Sequence, residues 1–361
     1  MAQIIENLYW KIRNLIPVSR VSSEDYKDIL HRVFLEYMNY LRDLHFGEKE
    51  EAWNRLVERA SKTCEKLEEI VRLQYLGLHQ EAFMEFNRLV YGDNSDDGLF
   101  SLMYKKEIPV GTSFYRMREF AKKKGVHFNE MFHIPLSQRG LVKTQRYSTP
   151  GYPCLYMGET IYGCWEELNR PLINRAMVAR LVNTRDLQFI DMTVPTLEAC
   201  KNNVYKRLRS FPLILACSVP ERSENDVFKP EYIISQLLTE TLIKNNRDHQ
   251  EKLIHGIFYT SVFENKDKMF PSEALNNYAM PVFDPLCGKE HCKTLSSLFK
   301  ITEPTCDEYE QLRHGYYADR TFVIYQRQEQ NQYQFGYADS AFYVLQHRLQ
   351  DEEAFPLHVI E

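Results

Sequence analysis

The stretch QRYSTPGYPCLYMGETIYGCWEE, residues 145–167, places an arginine, four tyrosines and two adjacent carboxylates around a Ser-Thr-Pro-Gly turn. Pro150-Gly151 sets the turn, and CLY (154–156) reads as a short strand leaving it. Tyr156 projects from that strand. Glu166 and Glu167 stand ten and eleven residues later, on the helix expected near 160–169. Strand-to-helix geometry brings such a helix back over its strand, so a tyrosine and a carboxylate would line one pocket, with Arg146 at its mouth. The combination suits a ligand with a phosphate, a flat ring and a sugar. Guanidinium pairs with phosphate oxygens in a bidentate way, and a phenol stacks on a ring. A carboxylate bonds ribose hydroxyls and stabilises positive charge developing at an anomeric carbon. Taken alone, each residue has a plainer reading, because an arginine beside a turn and a glutamate on a helix are commonly solvated.

Two kinds of element surround this stretch. The first 91 residues read as helices, with apolar residues at helical spacing: Ile4, Ile5, Leu8, Ile12, Leu15, Ile16; then Ile29, Leu30, Val33, Phe34, Tyr37, Met38, Leu41; then Ala52, Leu56, Val57, Ala60, Leu67, Ile70, Val71; and Phe83, Phe86, Leu89, Val90. Ser22 or Ser23 is the expected N-cap of the second helix, ahead of Glu24 and Asp25. YGDNSDDGLF (91–100) carries no periodicity and reads as a boundary, with residues 92–100 as linker. Beyond it, short strand-like runs alternate with turns: AMVARLV (176–182), LQFIDM (187–192), FPLILACSV (211–219), GIFYTSVF (256–263), TFVIYQR (321–327) and AFYVLQH (341–347), with a helix at 231–245. The expected fold class is therefore α+β, a mixed β core with flanking helices preceded by an all-α N-terminal domain over 1–91. A core domain would span 101–300 and a β-rich extension 301–361.

Composition narrows the function classes. The chain has 361 residues, 44% hydrophobic and 13% aromatic, with 45 basic against 50 acidic residues and a formal net charge of -5. That content builds a packed core and does not favour nucleic acid or an anionic membrane as partner. No run reaches the length of a membrane span, and MAQIIENLYWKIRNLI lacks the pattern of a secretory leader. The eight irregularly spaced cysteines, several in apolar segments (Cys154, Cys164, Cys217), read as reduced thiols and give a cytoplasmic expectation. CGKEHC (287–292) with Cys306 falls short of paired zinc-ligand spacing, so no metal is expected. His127, His133 and His255 read as structural histidines, and AKKKG (121–125) as a solvated loop. No glycine-rich phosphate loop is present, which argues against a dinucleotide-fold dehydrogenase.

RYSTPGYPCLYMGETIYGCWEEL resembles the core of the RES domain, a bacterial family named for its Arg, Glu and Ser. TSFYRMR (112–118) resembles its first strand with an early arginine, and YIISQLLTETLIKNNRDHQEKLIHGIFYTSVF (232–263) its late helix and serine-bearing strand; SEALNNYAMPV continues the match. The resemblance implies an ADP-ribosyltransferase-like fold and an enzyme that consumes NAD at the nicotinamide–ribose bond, by hydrolysis or phosphorolysis, as the toxin of a toxin–antitoxin pair. It implies Glu167, rather than its neighbour Glu166, as the catalytic carboxylate, with Arg146 and Ser261 also catalytic. Arg116 and Arg146 would hold the NAD phosphates, Tyr115 and Tyr156 would orient the nicotinamide end, and Ser261 would bond ribose or nicotinamide. NAD enters as substrate, with no cofactor. The partners implied are NAD and an antitoxin or regulatory protein, with a homo-oligomer left open. An ADP-ribosyltransferase acting on a macromolecule would use the same pocket, and a non-catalytic NAD or nucleotide sensor would not need the carboxylate.

Overall fold

The computed structural model describes residues 2–20, 24–93, 96–120, 126–172, 176–223, 225–248, 253–262, 275–286, 290–306 and 340–357. Helices α1 (Ala2–Arg13), α2 (Tyr26–Arg42), α3 (Glu50–Tyr75) and α4 (His79–Tyr91) come first, followed by a two-residue ladder of β1 (Gly92–Asp93) with β2 (Asp96–Asp97). Then come β3 (Tyr104–Ile108), β4 (Ser113–Glu119), β5 (Cys154–Gly158), α5 (Ile161–Glu167), β6 (Ala176–Asn183), β7 (Leu187–Asp191), α6 (Leu197–Asn202), α7 (Val204–Cys217) and α8 (Ile233–Asp248). The rest is β8 (Gly256–Thr260), β9 (Asn276–Pro281), α9 (Lys293–Ser297), β10 (Phe299–Ile301), α10 (Ala341–Asp351) and β11 (Phe355–Pro356). The fold is α+β, helices first and a sheet after them. No described helix is long and apolar enough to cross a membrane.

The chain divides into two compact units, and neither is the 1–91 domain expected from sequence. The first joins Met1–Lys105 to Thr144–Thr149 and Ile190–Ile254. Its α1–α4 pack on α6, α7 and α8, because their apolar stripes need that partner. Asp25 caps α2 by accepting from the Lys27 N–H (3.2 Å); Ser22 and Ser23 lie outside the described residues. Ala52 is exposed, and Trp53 takes its place on the buried stripe of α3.

FPLILACSV is not a strand but the second half of α7. Residues 207–217 are all buried, and an apolar run enclosed on every side has no period to separate helix from strand. Pro212 sits inside this helix. A proline there has no N–H for the carbonyl four residues back and leaves it without its usual donor. That carbonyl belongs to Leu208, and the Tyr37 hydroxyl from α2 donates to it at 2.5 Å. Tyr37→Phe should therefore orphan a buried carbonyl at a cost of about 1–3 kcal/mol. A urea melt should show a lowered midpoint; an unchanged midpoint would mean the bond contributes nothing.

The second unit comprises Lys106–Lys143, Pro150–Phe189 and His255–Glu361. It is built on a nine-stranded sheet in the order β11-β10-β6-β4-β5-β9-β8-β7-β3. One face buries Phe114, Leu155, Met157, Phe189, Phe258 and Tyr278. The opposite face buries Tyr115 and Met117 against α5 and α10. AFYVLQH is helical, not a strand: it is the start of α10, with Ser340 as N-cap and Phe342, Leu345 and Leu349 on the buried side. Among the described residues of 301–361 the main element is this helix. TFVIYQR and AKKKG lie outside the described residues.

Candidate functional site

The sheet opens between β4 and β5. β4 is paired with β6 along its whole length, from Ser113↔Val182 to Glu119↔Ala176, but with β5 only at Tyr115↔Gly158. Past that single pair the strands part, and Arg116 fills the gap. Its Nη1 donates to the Tyr156 carbonyl at 2.5 Å, an oxygen that a continued ladder would have used. The Arg116 Nε is enclosed and has no hydrogen-bond partner. Burial first, and then the like charge of Arg118, push the Arg116 pKa down to about 9. Arg118 lies two residues on, hence on the same face of β4. It donates to the Glu130 carbonyl and stands 5.8 Å from the centre of the Phe120 ring. His133 and His291 sit beside these arginines with their rings 4.9 Å apart. His133 is held by Ile134 O (2.8 Å) and the Cys292 N–H (2.9 Å), and burial pushes its pKa down to about 3, so the ring is neutral.

Gly158, at the head of the split, sets the position of the helix that follows. A Cβ there would lie 2.8 Å from Cys164 Sγ and 3.0 Å from Thr160 O. The absence of a side chain lets α5 close on β5. Thr160 starts α5 by accepting the Gly163 N–H (2.9 Å). Glu166 and Glu167 then point about 100° apart. Glu166, 5% exposed, is held by Arg170 through Nε (2.9 Å) and Nη2 (3.0 Å). Glu167 is half-buried and accepts from Asn277 Nδ2 at 3.0 Å. Asn277 is buried, donates also to Leu275 O (3.0 Å), and lies opposite both Gly158 and Tyr259 in the sheet. Its neighbour Asn276 faces the other way, donating to Glu159 Oε2 (3.0 Å) and accepting from Thr260 Oγ1 (2.9 Å). Ser261 continues that ladder, its N–H bonded to Leu275 O (2.9 Å).

Arg116 and Tyr156 thus sit on the two strands that flank the split, Glu167 ends the helix packed on them, and Ser261 follows β8, two strands beyond β5. Tyr156 is half-buried on the α5 side of β5, by alternation with Leu155 and Met157. Two expected site residues have other surroundings. Tyr115 is 1% exposed, packed with Trp165 and Phe342, and its hydroxyl accepts from Gln350 Nε2 (3.2 Å). It is a core residue under α10, because its neighbours on that face are helix side chains. Arg146 belongs to the first unit, where Nη1 donates to Cys217 O (2.6 Å) and Nη2 to Val219 O (3.0 Å). It closes the end of α7, whose last carbonyls have no partner within the helix. Sequence reasoning passed over Asn277 and Arg118. Asn277 had a signal: a pair of asparagines inside an otherwise apolar strand. His127 and His255 are structural, accepting from the Asn129 N–H (3.4 Å) and the Gln188 N–H (3.0 Å). Among the described residues no group of three or more His, Cys, Asp or Glu could hold a metal ion.

Comparison with known proteins agrees with the sequence resemblance. The chain is 27% identical, over an alignment of 315 residues that covers 81% of this chain and 68% of the other, to "Putative toxin YopC" of Bacillus subtilis (strain 168). Among solved structures it is similar to the M. tuberculosis MbcT-MbcA toxin-antitoxin complex, at 11% identity over 60% of this chain and 94% of the other. The TM-score is 0.30, too low to bear an argument. The family comparison matches residues 114–290, from Phe114 to Glu290, to the model described as RES domain.

Proposed function

We propose that this chain is a RES-family toxin that depletes NAD by cleaving its nicotinamide–ribose bond. The observation that carries the reading is Arg116: a part-buried guanidinium in the sheet split, with an enclosed, unpartnered Nε and no ion pair among the described residues. A buried charge without a counter-charge is costly, and an anionic ligand relieves that cost. The phosphates of NAD are such a ligand, and Glu167 is the carboxylate at the end of α5, the helix that follows β5. The relative named as a toxin supports the biological side of the reading, and an antitoxin is the partner it implies.

The chemistry asks little of the leaving group. Nicotinamide departs with the bonding electron pair and becomes neutral, so no acid has to protonate it. The barrier lies in the ribosyl cation, which the Glu167 carboxylate stabilises. The same group orients the attacking water, whose oxygen bonds to the anomeric carbon while its proton passes to the carboxylate and on to solvent. Tyr156 faces the nicotinamide end, Ser261 the ribose. Incubating the purified protein with NAD and resolving the products by chromatography tests this. Nicotinamide release is expected, and intact NAD would overturn the reading.

Asn277 positions Glu167. A hydrogen bond to a charged group is worth about 1.5–3 kcal/mol, so Asn277→Ala should lower kcat at least about tenfold with little change in KM. Equal effects on both constants would instead mean that Asn277 serves substrate binding.

A further inference from the structure

We infer that Arg118 is a second phosphate-binding residue, which together with Arg116 makes the site select a pyrophosphate-bridged dinucleotide over a mononucleotide. The inference rests on the NAD-cleaving reading and names what the site uses to choose its substrate. Arg116 and Arg118 share one face of β4, about 7 Å apart along the strand, next to the edge that β5 leaves open past Tyr115↔Gly158. That spacing separates the two Cα atoms, and from it each long side chain can reach its own phosphate of a linked pair. Among the described residues each guanidinium has a single hydrogen bond, to a backbone carbonyl, Tyr156 for Arg116 and Glu130 for Arg118. Neither forms an ion pair among the described residues. The acid that acts on Arg118 is Glu130, whose carboxylate is engaged by the His127 N–H (2.9 Å). Beside them the buried imidazoles of His133 and His291 are held below their ordinary range, mainly by burial.

Two like charges on one strand face repel, and burial raises the cost of that repulsion. A fold that only needed packing here could place apolar side chains, as it does at Phe114 on the same face. Phe120 supports the Arg118 guanidinium through its ring, which leaves edge N–H donors for a ligand. A pyrophosphate gives each arginine its own phosphate. A mononucleotide gives the pair only one.

The test compares NAD with nicotinamide mononucleotide, which has the same scissile bond and a single phosphate. Arg118→Gln should lower kcat/KM for NAD about 10–100-fold, mainly through KM, as loss of a charge-assisted contact does, and leave nicotinamide mononucleotide nearly unchanged. Arg118→Lys should recover part of the loss. An equal loss on both substrates, or no loss on NAD, would overturn the assignment. If the wild-type protein cleaves neither substrate, the catalytic reading fails by itself. Calorimetry then decides on Arg118: the wild type should bind inorganic pyrophosphate more tightly than phosphate, and Arg118→Gln should lose that preference. No preference in the wild type, or one that survives the substitution, would overturn it.

Discussion

Glu167→Gln is expected to reduce NAD turnover about 10²–10³-fold while leaving the melting temperature within a few degrees of wild type. The amide keeps the size of the side chain and removes the charge that the proposed mechanism sets against the ribosyl cation. Glu167 is half-buried and is joined to the sheet through Asn277. Glu166→Gln makes an informative control, because its environment predicts the reverse pattern. Glu166 is nearly fully enclosed and paired with Arg170 through two hydrogen bonds. Removing its charge weakens that pair and should cost stability, with turnover kept in the fraction that folds. Arg170 is 38% exposed, so solvent moderates the cost, which should stay near 1 kcal/mol. Full activity in Glu167→Gln, measured by nicotinamide release, would remove this carboxylate from the chemistry.

Deletion of residues 1–91 should abolish folding of the first unit, giving an insoluble chain or one without cooperative unfolding by circular dichroism. Those residues belong to the packing of the first unit. α2 and α3 pack on α7, and α4 on α8. The Tyr26 hydroxyl donates to Ala216 O (2.9 Å), and the rings of Tyr37 and Phe211 lie 5.5 Å apart. Arg20 pairs at 2.5 Å with Glu231, which is 1% exposed. Stranding that carboxylate alone costs about 3–5 kcal/mol. Each fully buried Ile or Leu lost from α2 and α3 adds about 1.5–3 kcal/mol. A total stability of roughly 5–15 kcal/mol does not survive several such losses. A folded, soluble truncation with a sharp melt would show that α6–α8 hold together without these helices.

Much of the site was legible because its residues are close in sequence. The turn at Pro150-Gly151, β5 and α5 all follow from one continuous stretch, and helix geometry says that Glu166 and Glu167 point apart, while the preference for Glu167 came from the family resemblance. The strands β6, β7 and β8 were readable as apolar runs of strand length. What failed depended on partners far along the chain. Arg146 looked like a ligand for phosphate because nothing near it in sequence revealed the end of α7, 71 residues away. Tyr115 looked available because α10, which covers it, begins more than 200 residues later. The α7 run was mistaken for a strand because a fully enclosed helix loses the polar face that marks its period, and Pro212 argued locally against a helix. The hydroxyl that makes Pro212 tolerable comes from Tyr37, 171 residues from Leu208.

The first compact unit is assembled from three separate stretches, ending at Ile254. During synthesis its opening helices leave the ribosome long before α7 and α8 exist. Roughly 150 residues separate Lys105 from Ile254, and at about 5–20 residues per second they take some 7–30 s to translate. Helices form in about a microsecond, so α2 and α3 wait with their apolar stripes uncovered for almost all of that interval. The nascent chain is a client for hydrophobic-surface chaperones in that window, and loss of α7 by premature termination leaves a fragment prone to aggregate. A chain whose first unit closes only once residue 254 has emerged is also one whose truncated translation products lack a finished fold.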